Sequence, residues 1–195
     1  LLIVDEVYTG FGRTGRWFAC EHTGVVPDLL VVGKALTGGL PFSACIGSDQ
    51  VMESWPRSTG EAIHTSTFLG NPVGCAAALA YLDVLREERL VERSASLGAR
   101  LLERLEAITR GNPRVGEVRG LGMMIGIELV RDRESRTPAP ELVGRTVVEG
   151  LRRGLILLGG GIHGNVLSLS PPFVLTDEQA EAGVTILAEV LRGLP

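Results

Sequence analysis

Two side chains with complementary chemistry each follow a short apolar run. Asp5 comes directly after LLIV, and Lys34 comes one glycine after LLVV. In an open α/β sheet, ligands bind outside the carboxyl ends of the strands, so two parallel strands would deliver an acid and an amine to one edge. A buried acid there needs a cationic partner, and an amine there is a candidate nucleophile. Each residue also has an ordinary explanation, because Asp5 could cap the next turn and Lys34 could be solvated.

A third polar group lies in the sequence HTSTFLGNP, where a histidine and three hydroxyl residues precede a helix that starts near Pro72. Hydroxyls and free backbone amides before a helix suit an anion such as phosphate. An ordinary capping cluster at the helix start explains the same residues. This segment alone does not distinguish the two explanations.

An acid, an amine and a phosphate-binding segment on one sheet edge are what pyridoxal 5′-phosphate requires. The aldehyde of this cofactor forms a Schiff base with a lysine, its pyridinium nitrogen pairs with a carboxylate, and its phosphate needs hydrogen-bond donors. The combination of Asp5, Lys34 and residues 64–67 therefore predicts a pyridoxal phosphate site.

The glycines at positions 10, 12 and 15 have the G-x-G-x-x-G spacing of a dinucleotide-binding turn. Such a turn needs a helix long enough to cross back to the sheet, and an acid at the end of the next strand. Here only residues 16–22 could be helical, and Asp28 precedes its strand. A P-loop is absent too, because Gly33-Lys34 lacks the upstream glycine and the following Ser or Thr. The glycines predict a turn and no nucleotide site.

The first half of the chain has the pattern of an α/β layer that would position these groups. Branched apolar runs predict strands over residues 1–4, 29–32 and 44–47. The first of these runs is typical of a buried parallel strand with both faces covered. Apolar residues at helical spacing then predict a long helix from Pro72.

The second half has an α+β pattern. A charged amphipathic helix is predicted over residues 90–108, and Thr176 with Gln179 predicts a capping box at the start of the closing helix. The remaining predicted elements are strands over 123–130, 155–158 and 166–169, helices over 140–153 and 176–191, and an exposed loop over 131–140.

The composition limits the class of protein. The chain has 195 residues with a net charge of -4, which is ordinary for a globular protein and gives no reason to expect a nucleic-acid partner. No apolar run is long enough for a membrane span. Three cysteines without C-x-x-C spacing predict neither a disulfide framework nor a metal site, and they fit a cytoplasmic location. Because Leu1 lies in an apolar run without an initiator Met, we expect the chain to begin inside a domain.

Four segments together resemble one family. They are DEVYTGFGRTGRWFACEH, PDLLVVGKALTGGLP, HTSTFLGNP and VRGLGMMIGIELV, in the order and spacing of the class III pyridoxal-phosphate aminotransferases. The resemblance implies the α/β fold type I of these transferases. Residues 1–89 would form the last part of the large cofactor-binding domain, and residues 90–195 a small α+β C-terminal domain. It also implies a homodimer with the active site at the subunit interface.

By this resemblance, Lys34 is the catalytic residue that forms the Schiff base, and Asp5 pairs with the ring nitrogen. Val7 packs against a face of the ring, and Thr67 binds the cofactor phosphate across the dimer interface. The implied reaction is transamination, in which an amino group moves from an amine or amino acid to a keto acid with ping-pong kinetics.

Two positions depart from the pattern of the family. Tyr8 stands where the family usually has Gln near the ring hydroxyl, and Ser168 stands where many members have an Arg that grips the substrate α-carboxylate. A serine hydroxyl cannot form the bidentate charged pair that a guanidinium forms, so the amino donor and acceptor stay open. A racemase or epimerase on the same scaffold is one alternative, and an inactive fragment is another.

Overall fold

The computed structural model of the protein describes residues 1–60 and 64–195. The chain divides into two compact units, Leu1–Val91 and Glu92–Pro195. The first unit contains a three-stranded sheet, and the second contains a four-stranded sheet. Among the described residues, no helix is both long enough and apolar enough to cross a lipid bilayer.

The sheet of the first unit has its strands in the order β1–β2–β3. They are β1 (Ile3–Asp5), β2 (Leu29–Val32) and β3 (Ala44–Gly47). β1 and β2 are parallel, with Asp5 beside Val31, and β3 runs antiparallel to β2. The predicted bounds of β2 and β3 are confirmed, whereas β1 begins two residues later than predicted and ends on Asp5 itself.

The prediction that both faces of β1 are covered is wrong for this chain. Ile3 is 59% exposed, and Leu1 and Leu2 before it are exposed as well. Among the described residues, β1 contacts mainly β2, which lies beside it in the sheet and covers neither of its faces. An apolar strand is buried on both faces only where other elements cover it.

Short helices follow the strands of the first unit. A 3-10 helix, Ala19–His22, comes between β1 and β2, and a second, Lys34–Thr37, comes directly after β2 and Gly33. The four-residue α1 (Asp49–Met52) follows β3 and was not predicted. All three helices are short, so turns make up most of the chain that connects these strands.

The long helix predicted from Pro72 is α2 (Pro72–Glu87). Its N-cap residue, Asn71, accepts hydrogen bonds from the backbone N–H groups of Val73 and Gly74 at 2.9 and 3.2 Å. These bonds satisfy two of the donors that a helix start leaves without partners. α2 packs against the 3-10 helix that carries Lys34, so it supports the chain that follows β2.

The sheet of the second unit is antiparallel throughout, in the order β4–β5–β7–β6. Its strands are β4 (Val115–Leu121), β5 (Met124–Leu129), β6 (Leu158–Gly160) and β7 (Val166–Leu169). β5 lies inside the predicted strand, and β7 has the predicted bounds.

Two strands of this sheet differ from the prediction. β4 was missed because Glu117 and Arg119 interrupt its apolar residues; these two side chains pair with each other at 2.9 Å on the exposed face. β6 begins three residues later than predicted. The delay arises because the N–H of Leu155 donates to the carbonyl of Gly150 at 2.8 Å, so this part of the chain still closes the end of a helix.

Three helices complete the second unit, namely α3 (Leu90–Thr109), α4 (Pro140–Arg152) and α5 (Asp177–Arg192), all at predicted positions. The predicted capping box is confirmed. Thr176 Oγ1 accepts from the N–H of Gln179 at 3.2 Å, and Gln179 Oε1 accepts from the N–H of Thr176 at 3.0 Å.

The second unit has a closed apolar core. Side chains from its sheet and helices are fully buried, including Leu105, Ile127, Leu129, Leu167 and Leu187. At the surface, α3 and α5 are joined by ion pairs, of which Arg100–Asp177 spans 2.8 Å. Exposed ion pairs contribute little to stability, so the apolar contacts are what hold the unit together.

Candidate active site

Asp5 stands at the carboxyl end of the parallel pair β1–β2. Its Oδ1 accepts a hydrogen bond from the backbone N–H of Val7 at 2.9 Å. This bond is the turn cap that the sequence allowed as the ordinary explanation of Asp5. A carboxylate has a second oxygen and further lone pairs, so Asp5 can accept other hydrogen bonds while it caps the turn. The residue is exposed, and a ligand at this sheet edge could reach it.

Lys34 is the first residue of the 3-10 helix after β2. Its backbone φ is +39°, a conformation that costs free energy for any residue other than glycine and persists only where the surroundings impose it. The Nζ atom lies 5.2 Å from the centre of the Tyr8 ring, within the range of a cation–π contact. Lys34 is also the sole lysine of the 195 residues.

Val7 lies beside the residue that precedes Lys34. A Cβ atom placed on Gly33 would lie 3.6 Å from Cγ1 of Val7, which is an ordinary van der Waals distance. The N–H of Glu6 donates to the carbonyl of Val31 at 2.8 Å and keeps the chain after β1 attached to β2. The structure therefore brings Asp5, Val7 and Lys34 to one edge of the sheet.

Thr67 lies in the turn before α2 and is exposed. The N–H of Leu69 donates to the carbonyl of Ser66 at 3.1 Å, which closes this turn two residues before Asn71 caps the helix. Within the described residues, Thr67 forms no hydrogen bond with Asp5, Val7 or Lys34. The structure thus places Thr67 at a helix start, as predicted, but does not bring it to the other three.

The segment of residues 7–22, which contains Gly10, Gly12 and Gly15 and is called the glycine turn below, carries no crossover helix. Among the described residues between β1 and β2, the helical segment is the four-residue Ala19–His22, as the sequence analysis expected. Gly12 and Gly15 have φ values of +92° and +84°, which glycine adopts at no steric cost. The N–H of Gly12 donates to the carbonyl of Trp17 at 3.2 Å, so the segment folds back on itself. This geometry is that of a compact turn.

Two charged residues of the same segment were missed by the sequence analysis. Glu6 is 1% exposed although it is an acid, and Arg13 is half-buried. Burial lowers the pKa of the Arg13 guanidinium, while the nearby phenols of Tyr8 and Tyr81 act in the opposite direction. Consecutive residues at a strand end point to opposite faces. If Asp5 faces a ligand, this alternation predicts that Glu6 faces the interior.

Ser168 lies in β7 of the second unit, opposite Gly126 of β5 and Leu158 of β6. It lines a cavity of about 380 Å³ whose walls are mainly leucine and proline side chains. No charged side chain of the described residues lines this cavity. The surroundings of Ser168 in its own unit therefore supply no cation that would replace an arginine.

Comparison with known proteins gives consistent matches over the whole chain. The model of a family described as aminotransferase class-III matches residues 1–191. The 5-aminovalerate aminotransferase DavT of Pseudomonas aeruginosa is 45% identical over 190 residues, which make up 97% of this chain and 43% of that protein. The leucine/methionine racemase of Thermococcus litoralis is 40% identical over 191 residues, covering 98% of this chain and 42% of that protein.

Solved structures agree with these matches. A crystal structure of a Bacillus anthracis aminotransferase superposes with a TM-score of 0.93 at 36% identity, covering 100% of this chain and 45% of that one. The predicted fold class is therefore confirmed as part of the fold of these enzymes. The chain spans less than half the length of the relatives it matches.

Proposed function

Because this chain belongs to the class III aminotransferase family, we propose that the full-length protein is a pyridoxal-phosphate-dependent transaminase with Lys34 as its catalytic residue. The observation that carries the proposal is the placement of Asp5 and Lys34 at the carboxyl ends of two neighbouring parallel strands, since Asp5 is the last residue of β1 and only Gly33 separates Lys34 from β2. Ligands of α/β sheets bind at such strand ends. The protein would move an amino group from an amine or amino acid to a keto acid.

The residues present fit the cofactor of this family, pyridoxal 5′-phosphate. Lys34 offers a primary amine for its aldehyde, and Asp5 offers a carboxylate for its protonated ring nitrogen. Val7 offers an apolar side chain, in van der Waals range of the Gly33 position, for a face of the ring. Thr67 offers a hydroxyl near a helix start, a type of group that binds phosphate.

Each of these side chains has a defined task. When bound, the cofactor supplies an electron sink for the carbon that loses its proton. Lys34 Nζ would hold the cofactor aldehyde and, once an amine substrate has displaced it, would carry the proton from the substrate carbon to the cofactor carbon. The Asp5 carboxylate would hold the proton on the ring nitrogen. Val7 would pack against a face of the ring, and the Thr67 hydroxyl would donate a hydrogen bond to the phosphate.

The amino donor and the keto-acid acceptor are to be identified by experiment. A relative is named a 5-aminovalerate aminotransferase, which supports an amine far from a carboxylate as one donor to test. Ser168 does not provide the charged pair that an arginine would form with an α-carboxylate. We propose a screen of amines and amino acids with the full-length protein, with pyruvate and 2-oxoglutarate as acceptors. Turnover that needs both a donor and a keto acid supports the proposal, and its absence with every pair contradicts it.

We also propose that the protein is a homodimer. Several apolar side chains of α2 and the turn before it are exposed, among them Phe68 at 70% and Leu79 at 64%. A helix that is apolar on most of its surface is usually buried, and a second subunit would cover this one. The molar mass in solution tests this point: Leu79→Glu should shift a dimer towards the monomer, and a monomeric wild type would contradict it.

We also propose that the protein is located in the cytoplasm. Cys20, Cys45 and Cys75 are free thiols, as expected of a protein in a reducing compartment. Fractionation of cells that express the full-length protein tests the location, and recovery outside the cytoplasm would contradict it.

The second candidate is an amino-acid racemase. It is favoured by one observation, the 40% identity to a leucine/methionine racemase. Lys34 and Asp5 would have the same tasks, but the proton would return to the opposite face of the substrate carbon. Incubation with a single enantiomer and no keto acid separates the two functions, because only a racemase would produce the other enantiomer.

A further inference from the structure

Two neighbouring acids, Asp5 and Glu6, differ sharply in their environment. Asp5 is exposed at the sheet edge, whereas Glu6 is 1% exposed. Removing a carboxylate from water costs several kcal/mol unless hydrogen bonds replace the water. The burial of Glu6 next to Asp5, a candidate cofactor contact, must therefore be balanced by hydrogen bonds to its carboxylate.

The Glu6 carboxylate binds two parts of the glycine turn. Its Oε1 accepts from the backbone N–H of Cys20 at 2.8 Å, and its Oε2 accepts from the hydroxyl of Thr9. Burial raises the pKa of the Cys20 thiol, and the adjacent Glu6 carboxylate raises it further, in keeping with their close contact. Glu6 thus joins residues that lie 3 and 14 positions further along the chain.

The backbone of Glu6 is fixed as firmly as its side chain. Its N–H donates to the carbonyl of Val31 at 2.8 Å, and its carbonyl accepts from the N–H of Gly10 at 2.9 Å. Gly10 has to be glycine, since a Cβ atom there would lie 2.8 Å from the Glu6 carbonyl oxygen. The glycine turn therefore contacts Glu6 through both its backbone and its side chain.

The fixed residue lies between two candidate cofactor contacts. Asp5 precedes Glu6, Val7 follows it, and the N–H of Val7 donates to Asp5 Oδ1 at 2.9 Å. Asp5 is exposed, Glu6 is buried and Val7 is half-buried. The bonds that hold Glu6 therefore fix the chain between Asp5 and Val7.

We propose that Glu6 is a positioning residue, whose buried bonds to Thr9 and Cys20 hold the Asp5 carboxylate and the Val7 side chain against the cofactor ring. This inference rests on the proposed function. It also gives the glycine turn a task other than nucleotide binding, since two of its residues bind the buried Glu6 carboxylate. A purely structural role would instead affect stability alone.

The test compares Glu6→Ala, Glu6→Gln and Thr9→Val in the full-length protein. The matched control is Glu21→Ala, because Glu21 Oε1 also accepts from a backbone N–H of this turn, that of Phe18 at 2.8 Å, but is exposed. Three quantities are measured: the affinity for pyridoxal 5′-phosphate, the visible circular dichroism of the bound cofactor, and the melting temperature without cofactor.

Glu6→Ala should bind the cofactor about tenfold more weakly or worse and change its circular dichroism, because the buried donors lose their acceptor and the turn moves. Glu6→Gln should stay within about threefold of the wild type, since its amide oxygen still accepts from Cys20. Thr9→Val, which removes one bond, should lie between them. Glu21→Ala should match the wild type.

A lower melting temperature with unchanged affinity and circular dichroism in Glu6→Ala would overturn the inference. If Glu6→Ala does not fold, the inference is judged on Thr9→Val, by its cofactor affinity and the circular dichroism of its bound cofactor. A loss in Glu6→Gln as large as in Glu6→Ala would also count against it. If the wild type binds no cofactor, both the proposed function and this inference fail. If the wild type and Glu21→Ala bind the cofactor and the Glu6 variants bind it as tightly as they do, only this inference fails.

Discussion

The sheets of the two units differ in how well they are covered. In the second unit, Ile127 of β5 and Leu167 of β7 have no exposed surface. In the first unit, Ile3 of β1 and Ile46 of β3 are more than half exposed. The first unit buries Val32 of its central strand β2 at 1% exposure, so the difference lies in its outer strands.

The difference coincides with the location of the chemistry. Asp5, Val7 and Lys34 lie at the carboxyl end of the parallel strands of the first sheet, and the backbone of Lys34 is in an unfavourable conformation. The capping box and the ion pairs between α3 and α5 belong to the second unit. The candidate site residues and the largest group of fully buried side chains therefore lie in different units of this chain.

The largest effect is expected in the first unit. Asp5→Asn in the full-length protein should leave cofactor bound but slow proton removal from the amine substrate by about 100-fold or more, because an amide does not stabilise the proton on the ring nitrogen. Single-turnover spectroscopy measures this rate. The control is Asp28→Asn, which alters an acid that accepts from the N–H of Leu2 at 2.6 Å at the other end of β2. Equal rates in the two variants would contradict the role of Asp5.

Stability should depend most on the core of the second unit. Leu167→Ala should lower the free energy of unfolding by about 2–5 kcal/mol, because it removes a fully buried side chain. Leu158→Ala, in the neighbouring strand and 65% exposed, should cost less than about 0.5 kcal/mol. Urea denaturation compares them. Similar losses in both variants would mean that the closed core is not what holds this unit together.

A smaller effect is expected at the start of α5. Thr176→Ala should cost about 1 kcal/mol of unfolding free energy, because the N–H of Gln179 loses its acceptor. Thr176→Ser keeps that acceptor and should be nearly neutral. Thr185→Ala, at an exposed position inside the same helix, serves as the control. The cap would be unimportant if Thr176→Ala and Thr185→Ala melted at the same temperature.

The smallest effect concerns pH. The hydrogen bond from Arg136 to Glu128, at 2.7 Å, holds the pKa of Glu128 below its ordinary value. A lowered pKa contributes stability above the pKa of the unfolded chain, and this contribution is lost as the pH falls through the folded-state value. Glu128→Gln should therefore be less stable than the wild type at pH 7, by less than about 1 kcal/mol. The gap should close in acid, whereas a gap that is independent of pH would contradict this origin.

The parts of the fold that depend on neighbouring residues were predictable from the sequence. Thr176 and Gln179 are three positions apart, so their capping box could be inferred directly. Asp5 and Lys34 were chosen as candidates because each follows an apolar run, and strand ends are where ligands of such sheets bind; their roles stay a prediction. The family itself was identified from four motifs in order, and the match over residues 1–191 confirms it.

The missed features depend on contacts that are distant in the sequence. Glu6 looks like a surface acid, and its burial follows from a bond to Cys20, 14 residues away. β4 is held by its pairing with β5, although Glu117 and Arg119 give it a polar sequence. The exposure of Ile3 depends on which elements lie over the faces of β1, and an apolar run alone does not reveal that.

The assignment of Lys34 can be tested by peptide mapping. The full-length protein is incubated with pyridoxal 5′-phosphate, reduced with borohydride and digested with trypsin. Between Arg16 and Arg57, Lys34 is the single tryptic site, so a cofactor fixed on its Nζ blocks cleavage there. The account predicts one peptide of residues 17–57 that carries the cofactor mass, and none from Lys34→Arg. Complete cleavage into unmodified peptides 17–34 and 35–57, with the cofactor on another residue or lost, would contradict it.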